Sequence, residues 1–361
     1  MRYFYEYKYK SGNRMVGGHN LEKIEFYDNY IKLLGVDIIP TNYDLTVPAT
    51  LADIDDTYDF EGVDTSNVNV SSVSVYSFYN ISVLNYLQSL INPYTVLDKH
   101  NEYVNTSVDY GYTSGTIQKK VSLNNSLIAG YNAANIELNA KFKGYIIHSI
   151  FGLEKSSAML GDIIIKCEGV ELTENLSISK VLADKYGTYE KDGLLYVNIE
   201  IDKEYLFTVR RGTEELDILV KAFGYLDEGE VFPSLGINYY EYYDVFKTGS
   251  EIPFKIVEPD SFGPSAGLMQ ALFIYDALSG ENLTKDLHVV GTGTIDSKGN
   301  AGSIGGVKAK IMAAVLDKAD VFFVPEENYE DALEQYNKCN TDMKLVSVTC
   351  LNDVINYLRN N

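Results

Sequence analysis

The sequence predicts an α+β protein of three successive regions, and three apolar patterns support that class. Valines near-alternate with Ser and Asn between Val68 and Val75, which indicates a half-buried strand in a β-rich N-terminal region, residues 1–135. Strand patterns around one short helix indicate a second domain at 136–224. From 236 to 361, strands alternate with helices, as in a mixed sheet with packed helices.

The first region begins irregularly and then contains two helix candidates. Ile81–Ile91 has apolar residues at helical spacing. Ser114–Ala134 places Ile117, Val121 and Tyr131 near one helical face. We therefore expect two helices to follow the valine-rich strand.

The second and third regions contain short apolar runs separated by turn residues. In the second region these runs predict strands at 144–151, 163–167, 205–210 and 216–220, and a helix at 177–186. In the third region the predicted strands are FKIV, HVVGTG, VFFVP and KLVSV, with helices starting at Ser265 and near Lys308 and Asp331, and a last helix at the C-terminus.

Composition excludes several classes of function. The 51 acidic and 30 basic residues give a net charge of -21, which repels phosphate backbones, so we expect no nucleic-acid partner. The three cysteines, Cys167, Cys339 and Cys350, form no C-x-x-C pair, and no H-E-x-x-H occurs, so we expect no metal and no cofactor. No apolar run reaches the ~20 residues that span a bilayer, and we expect a soluble chain without a signal segment.

The segment Gly263-Pro264-Ser265-Ala266-Gly267 offers a candidate nucleophile. Pro264 suits the start of a helix, because its missing N–H would have no intrahelical partner there. We expect Ser265 in the first turn, where free backbone N–H groups stabilise a developing oxyanion. Gly263 and Gly267 would let a substrate backbone approach closely.

Lys310 is the candidate base for this serine. A lysine amine accepts a proton near pH 7 only when burial or a helix dipole lowers its pKa. Lys310 lies one turn into a helix that Gly305-Gly306 introduces, among apolar residues. Taken singly, Ser265 also fits an ordinary helix start and Lys310 a solvated helix lysine. Together they favour a nucleophile and its base.

Three segments resemble the proteolytic domain of Lon-type serine proteases: 263–267 (GPSAG), 291–295 (GTGTI) and 302–310 (GSIGGVKAK). The similarity continues through 320–325 and covers about residues 236–358. The resemblance implies a compact α+β domain with a Ser-Lys dyad. It places Ser265 as nucleophile, Lys310 as base, and Thr292 as the residue whose hydroxyl supports the lysine, with Lys308 secondary.

Residues 136–224 resemble a PDZ domain, as in the YlbL-like branch of bacterial proteases. The similar segments are 160–164 (LGDII), 168–170 (EGV) and 207–212 (FTVRRG). The resemblance implies peptide binding by a loop at Phe142, Lys143, Gly144 and Tyr145, whose sequence departs from the usual carboxylate-binding pattern. Strand addition at a sheet edge and a role in packing alone both stay open.

Relatives in that branch face the extracytoplasmic side of a membrane and normally begin with one membrane-spanning helix. We expect no such helix in this sequence, either because the anchor was removed or because this member lacks it. The resemblance is also compatible with a homo-oligomer. We expect a serine endopeptidase acting on protein or peptide substrates, and ATP-independent because no G-x-x-x-x-G-K-[ST] segment occurs. The alternative is a catalytically idle binding or adaptor protein with a PDZ-like domain.

Overall fold

A computed structural model describes six segments of the chain: residues 41–101, 107–152, 157–191, 193–227, 229–257 and 262–360. The first 40 residues of the predicted N-terminal region lie outside them. The described residues form a mixed α+β structure, which confirms the predicted fold class. No helix among them is long and apolar enough to cross a bilayer.

Strands and helices are numbered in chain order. The strands are β1 (Tyr43–Asp53), β2 (Tyr58–Phe60), β3 (Val70–Phe78), β4 (Val96–Lys99), β5 (Asn139–Ile150), β6 (Ile163–Cys167), β7 (Val170–Glu171), β8 (Thr188–Lys191), β9 (Leu194–Val197), β10 (Glu204–Arg211), β11 (Glu214–Lys221), β12 (Phe223–Asp227), β13 (Glu230–Ser234), β14 (Ile237–Phe246), β15 (Phe254–Ile256), β16 (Val289–Gly291), β17 (Thr294–Ile295), β18 (Ala301–Gly302), β19 (Val321–Pro325) and β20 (Lys344–Val348). The helices are α1 (Val83–Ser89), α2 (Val108–Ala133), α3 (Ile178–Tyr186), α4 (Gly267–Ser279), α5 (Val307–Leu316), α6 (Tyr329–Tyr336) and α7 (Leu351–Asn360), and a 3₁₀ turn spans Glu326–Asn328.

The chain divides into two compact units that differ from the three segments expected from the sequence. Among the described residues, one unit combines those within 1–100, 125–137 and 251–361, and the other combines those within 101–124 and 138–250. The reason is strand pairing, because β1, β3 and β4 belong to the same sheet as β16, β19 and β20. Helix α2 contributes residues to both units.

The first unit is built on a six-stranded mixed sheet with the order β20-β19-β16-β3-β1-β4. The four strands from β20 to β3 are parallel, and β1 is antiparallel to both of its neighbours. All five residues of β19 are buried, as expected for a central parallel strand. Buried side chains of α5, including Val307 and Ile311, pack with Val290 and Phe322 of the sheet and thereby fix this helix in place.

The second unit is built on an antiparallel sheet with the order β11-β10-β6-β5-β14. Its core joins residues of β6 and β10 to Ile178, Val181 and Leu182 of α3. Ser177 caps α3 by accepting a hydrogen bond from the Lys180 N–H at 3.1 Å, and Gly187 ends the helix with φ 80°. β14 is the last strand at one edge of this sheet.

Candidate active site

Lys310 and Ser265 lie in direct contact within the first unit. Lys310 Nζ is 2.8 Å from Ser265 Oγ and 2.8 Å from the main-chain oxygen of Val73. The lysine is only 2% exposed, on the first turn of α5. Its own N–H donates to the Gly306 carbonyl, and Gly306 begins the helix with a left-handed φ of 71°. The serine hydroxyl therefore has one amine within reach as a proton acceptor.

Burial gives this amine the properties of a base. Removal from water disfavours the ammonium form, and it lowers the pKa of Lys310 to about 7. At neutral pH, a large fraction of the protein molecules then carries Lys310 with a neutral amine. Lys308 behaves in the opposite way, because ion pairs with Glu334 and Asp331 raise its pKa. Of the two lysines, Lys310 is the one suited to accept a proton.

Ser265 precedes the helix rather than lying in its first turn. α4 begins at Gly267, whose N–H donates to the Pro264 carbonyl at 3.1 Å, so the serine lies in a tight turn. The Gly293 N–H donates to the Ser265 carbonyl at 2.8 Å, and this bond ties the turn to the chain that follows β16.

Thr292 contacts the serine and not the lysine. Its hydroxyl is fully buried and donates to the main-chain oxygen of Ser265 at 3.0 Å. The predicted support for Lys310 is therefore replaced by a hydrogen bond that holds the serine's backbone. A threonine here fixes the position of the Ser265 carbonyl group and leaves the amine of Lys310 to Ser265 and Val73.

The residues around Ser265 differ in how much space they leave. Gly263 adopts φ 87°, and a Cβ there would meet no atom of the described residues within 4 Å. Gly267 is buried at the helix start, where its carbonyl accepts from Ser126 Oγ.

In the part of the chain that the structure describes, the N–H groups of Ser265 and Ala266 have no hydrogen-bond acceptor. These two donors are available to an oxyanion.

Val73 is the site residue that the sequence did not indicate. It lies in β3, more than 230 positions before Lys310, and it contributes a main-chain oxygen rather than a side chain. The valine alternation predicted the strand but carries no signal for this contact.

The predicted peptide-binding loop has a different conformation. Phe142 to Tyr145 lie inside β5, where Tyr145 pairs with Glu241 of β14 on one side and Ile164 of β6 on the other. Gly144 has φ 128°, and a Cβ there would lie 2.4 Å from the Ile164 oxygen. The glycine thus marks a close approach of strands and not a carboxylate loop.

The structure offers no evident metal centre within its described residues. No group of three or more His, Cys, Asp or Glu side chains among them is arranged to hold an ion. The polar groups gathered at the site are the Ser265 hydroxyl, the Lys310 amine and the backbone N–H groups of Ser265 and Ala266.

Comparisons with known proteins match the part of the chain that contains Ser265, Thr292 and Lys310. Residues 251–360 match the Lon protease (S16) C-terminal proteolytic domain. The chain is similar to the Lon protease of Aster yellows witches'-broom phytoplasma (32% identity over 96 residues, 27% of this chain and 12% of the relative). It is also similar to that of Campylobacter jejuni (30% over 116 residues, 32% and 14%) and that of Rhizobium meliloti (32% over 93 residues, 26% and 11%).

These alignments cover a small part of each relative, between 11% and 14% of its length. The matched stretch contains Ser265, Thr292 and Lys310 but not β1, β3 and β4, which complete the sheet. Residues 251–360 of this chain are thus a Lon protease (S16) C-terminal proteolytic domain.

Proposed function

We propose that the chain is a serine endopeptidase that hydrolyses protein or peptide substrates with Ser265 as nucleophile and Lys310 as base. The observation that carries the proposal is the 2.8 Å approach of a buried lysine amine, with its pKa lowered to about 7, to a serine hydroxyl. A lysine in this state accepts the proton that a serine must lose to attack a carbonyl. The Lon-type proteolytic domain at 251–360 supports the same reaction class.

In the first half of the reaction, neutral Lys310 takes the Ser265 hydroxyl proton while Oγ bonds to the peptide carbonyl carbon. The N–H groups of Ser265 and Ala266 stabilise the resulting oxyanion. The Lys310 ammonium then gives its proton to the leaving amine as the C–N bond breaks. An acyl-serine and a neutral lysine remain.

In the second half, Lys310 removes a proton from water as the water oxygen attacks the acyl carbon. Collapse of that intermediate breaks the bond to Oγ, which recovers its proton from Lys310. The Val73 carbonyl accepts one amine N–H, and this bond helps keep Nζ directed at Oγ through both halves. None of these steps consumes a nucleotide, so the proposed activity is ATP-independent in this chain.

The test is intact mass after incubation with a serine-reactive phosphonate. Wild type should gain one adduct, and Ser265→Ala and Lys310→Met should gain none. Lys308→Met is the matched control, because it removes an ion-paired lysine of the same helix, and it should label like wild type. Labelling of Lys310→Met at the wild-type rate would disprove the dyad. A wild type that gains no adduct would favour the idle binding protein.

We infer a recruiting role for the second unit, as a PDZ-like domain of the YlbL-like branch. The supporting observation is the position of β14 at the edge of the sheet, with Tyr239 packed against the core that includes α3. An extended peptide can add as a strand at such an edge. The proposal moves peptide binding from Phe142–Tyr145, which is paired within the sheet, to β14.

Hydrogen exchange tests this role. An unstructured substrate protein, added to the Ser265→Ala variant, should slow amide exchange in β14 and leave β5 unchanged. Slower exchange in β5 alone, or in neither strand, would contradict the assignment.

A further inference from the structure

The second half of helix α2 packs against the helix that follows Ser265. A Cβ at Gly130 would lie 2.5 Å from Ile274 Cγ2, so α2 and α4 are in close contact. Every residue of α2 from 125 to 131 is buried, and Asn125 and Ser126 are among them. Buried polar side chains need hydrogen-bond partners. The partners of these two residues therefore show what this part of the helix holds in place.

Ser126 holds the start of α4. Its fully buried hydroxyl lies 3.0 Å from the Gly267 carbonyl oxygen and 3.2 Å from Gln270 Oε1, and it donates to both. Gly267 is the first residue of α4 and lies two positions after Ser265. The Ser126 hydroxyl therefore restrains the end of the turn that contains the candidate nucleophile.

Asn125 holds a second segment that contacts the serine. Its Nδ2 donates to the Ile295 carbonyl in β17 at 3.1 Å. Three residues earlier in the same segment, the Thr292 hydroxyl donates to the Ser265 carbonyl, and so does the N–H of Gly293. Two adjacent residues of α2 thus restrain the two segments that meet at Ser265.

The oxygen of the Asn125 amide is buried without a partner. The residue is 5% exposed, and no donor among the described residues reaches its Oδ1. A buried acceptor without a donor lowers stability, whereas an apolar group of the same shape can be nearly neutral. Departures of this kind from the rules of stable packing are expected at functional sites. The stability of the fold therefore does not account for an asparagine at this position.

We propose that Asn125 and Ser126 are positioning residues for Ser265. Asn125 acts through Ile295, and Ser126 acts through Gly267. This inference rests on the proposed endopeptidase function, in which the serine hydroxyl must keep a fixed place beside its base. A misplacement of about 1 Å can cost on the order of 100-fold in rate, so these two restraints affect the reaction without touching the substrate.

The first test replaces Asn125 with leucine, which has nearly the same shape, in the full chain. Asn125→Leu loses the bond to Ile295 but also the unpaired oxygen, and these two effects on stability oppose each other. The midpoint of thermal unfolding should therefore stay within about 3 °C of that of wild type. The rate at which a small aryl phosphonate labels Ser265 should fall about tenfold, because the segment is less restrained. An unchanged labelling rate would overturn the role of Asn125.

The second test removes the other restraint. In Ser126→Ala, labelling by the same reagent should also slow about tenfold. Ser122→Ala is the matched control, because it removes a buried hydroxyl from the same helix one turn earlier. This control should label like wild type. Equal slowing in the two alanine variants would indicate a general effect of α2 on the fold and would overturn the role of Ser126.

The pH dependence of labelling separates positioning of the serine from damage to its base. Neither substitution touches Lys310 or its contact with Val73, so the labelling rate should still reach half of its maximum near pH 7. Only the maximum rate should fall. A midpoint shifted to higher pH would mean that water has reached the lysine, and it would overturn the positioning role.

Labelling of wild type separates this inference from the function on which it rests. If wild type, Asn125→Leu and Ser126→Ala all label at one rate, the endopeptidase proposal stands and the positioning role fails. If wild type gains no adduct, both fail.

Discussion

At the scale of single residues, the proposed reaction depends on the protonation state of Lys310. The lysine is 2% exposed, and the described structure pairs it with a hydroxyl and a carbonyl rather than with a carboxylate. No carboxylate among the described residues therefore pairs with its charged form, and desolvation lowers the pKa to about 7. Lys308, two residues earlier, keeps its charge through ion pairs.

The first prediction concerns the pH dependence of Ser265 labelling. Because only the neutral amine accepts the serine proton, the rate should rise with pH and reach half of its maximum near pH 7. The measurement is adduct formation with the aryl phosphonate between pH 5 and 9. Lys308→Met should show the same profile. A rate independent of pH over this range would contradict Lys310 as the base.

The second prediction concerns stability. The pKa of Lys310 is lower in the folded state, about 7, than its ordinary value of 10.5. The unfolded chain therefore binds more protons between these two values, and stability rises with pH in that window. Below pH 7 the full penalty of the buried charge is present.

Lys310→Met removes this penalty. The free energy of unfolding of the variant should therefore exceed that of wild type, and this gain should shrink as pH rises. The gain at pH 7.5 should exceed the gain at pH 9.5 by about 2 kcal/mol, since each pKa unit corresponds to about 1.4 kcal/mol. Urea unfolding at the two pH values measures it. In Lys308→Met the difference from wild type should not change, because a raised pKa acts only near and above 10.5. A constant gain for Lys310→Met would show that the amine is not desolvated.

At the scale of elements, the start of α5 positions the base. Gly306 adopts φ 71°, and a Cβ there would lie 3.3 Å from Thr46 Cγ2 and 3.4 Å from Val75 Cγ2. Its carbonyl accepts the Lys310 N–H. The sheet and the helix therefore meet where Lys310 is held.

Gly306→Ala should destabilise the fold by about 1–2 kcal/mol, because an alanine is strained at this φ and its methyl group presses on β1 and β3. Ser265 labelling should slow as well, since Lys310 moves with the helix. Thermal unfolding and labelling rates measure both effects. Gly305→Ala is the matched control, because a Cβ there would meet none of the residues that the structure describes within 4 Å. Equal effects of the two substitutions would contradict this account.

Local sequence patterns predicted some of these elements and contacts but not others. The buried run of β19 and the glycines before α5 are signals within a few residues, and they led to the strand and to Lys310. Gly144 was misleading, because a glycine at a close strand approach has the same sequence appearance as a loop glycine. The Val73 contact depends on where β16 stops pairing, which no local pattern encodes.

At the scale of the whole molecule, the unit that carries Ser265 and Lys310 is not continuous in sequence. Its sheet takes β1, β3 and β4 from the first 100 residues and β16, β19 and β20 from the last 75. The chain leaves this unit after Glu137 and returns at Glu251, and these two residues are hydrogen-bonded to each other. The Glu251 N–H donates to the Glu137 carbonyl at 2.9 Å.

The last prediction follows from that closeness. A segment whose ends nearly meet can be removed with little strain on the rest. Deleting residues 138–250 and joining Glu137 to Glu251 through a short Gly-Ser linker should leave a folded chain whose Ser265 still labels with the aryl phosphonate. Ile117 and Val121 of α2, which pack on β5 and β14 in the second unit, should be replaced by polar residues.

The comparison chain for this deletion is the matched domain alone, residues 251–361. It lacks β3, which pairs with β16 and provides the Val73 carbonyl to Lys310. We expect it to be unfolded by circular dichroism and unlabelled, because its central sheet has lost one neighbour and the lysine one of its two contacts. A folded, labelled 251–361 chain would mean that β1, β3 and β4 are dispensable. An unfolded deletion chain would mean that the unit with Ser265 depends on the other for its stability.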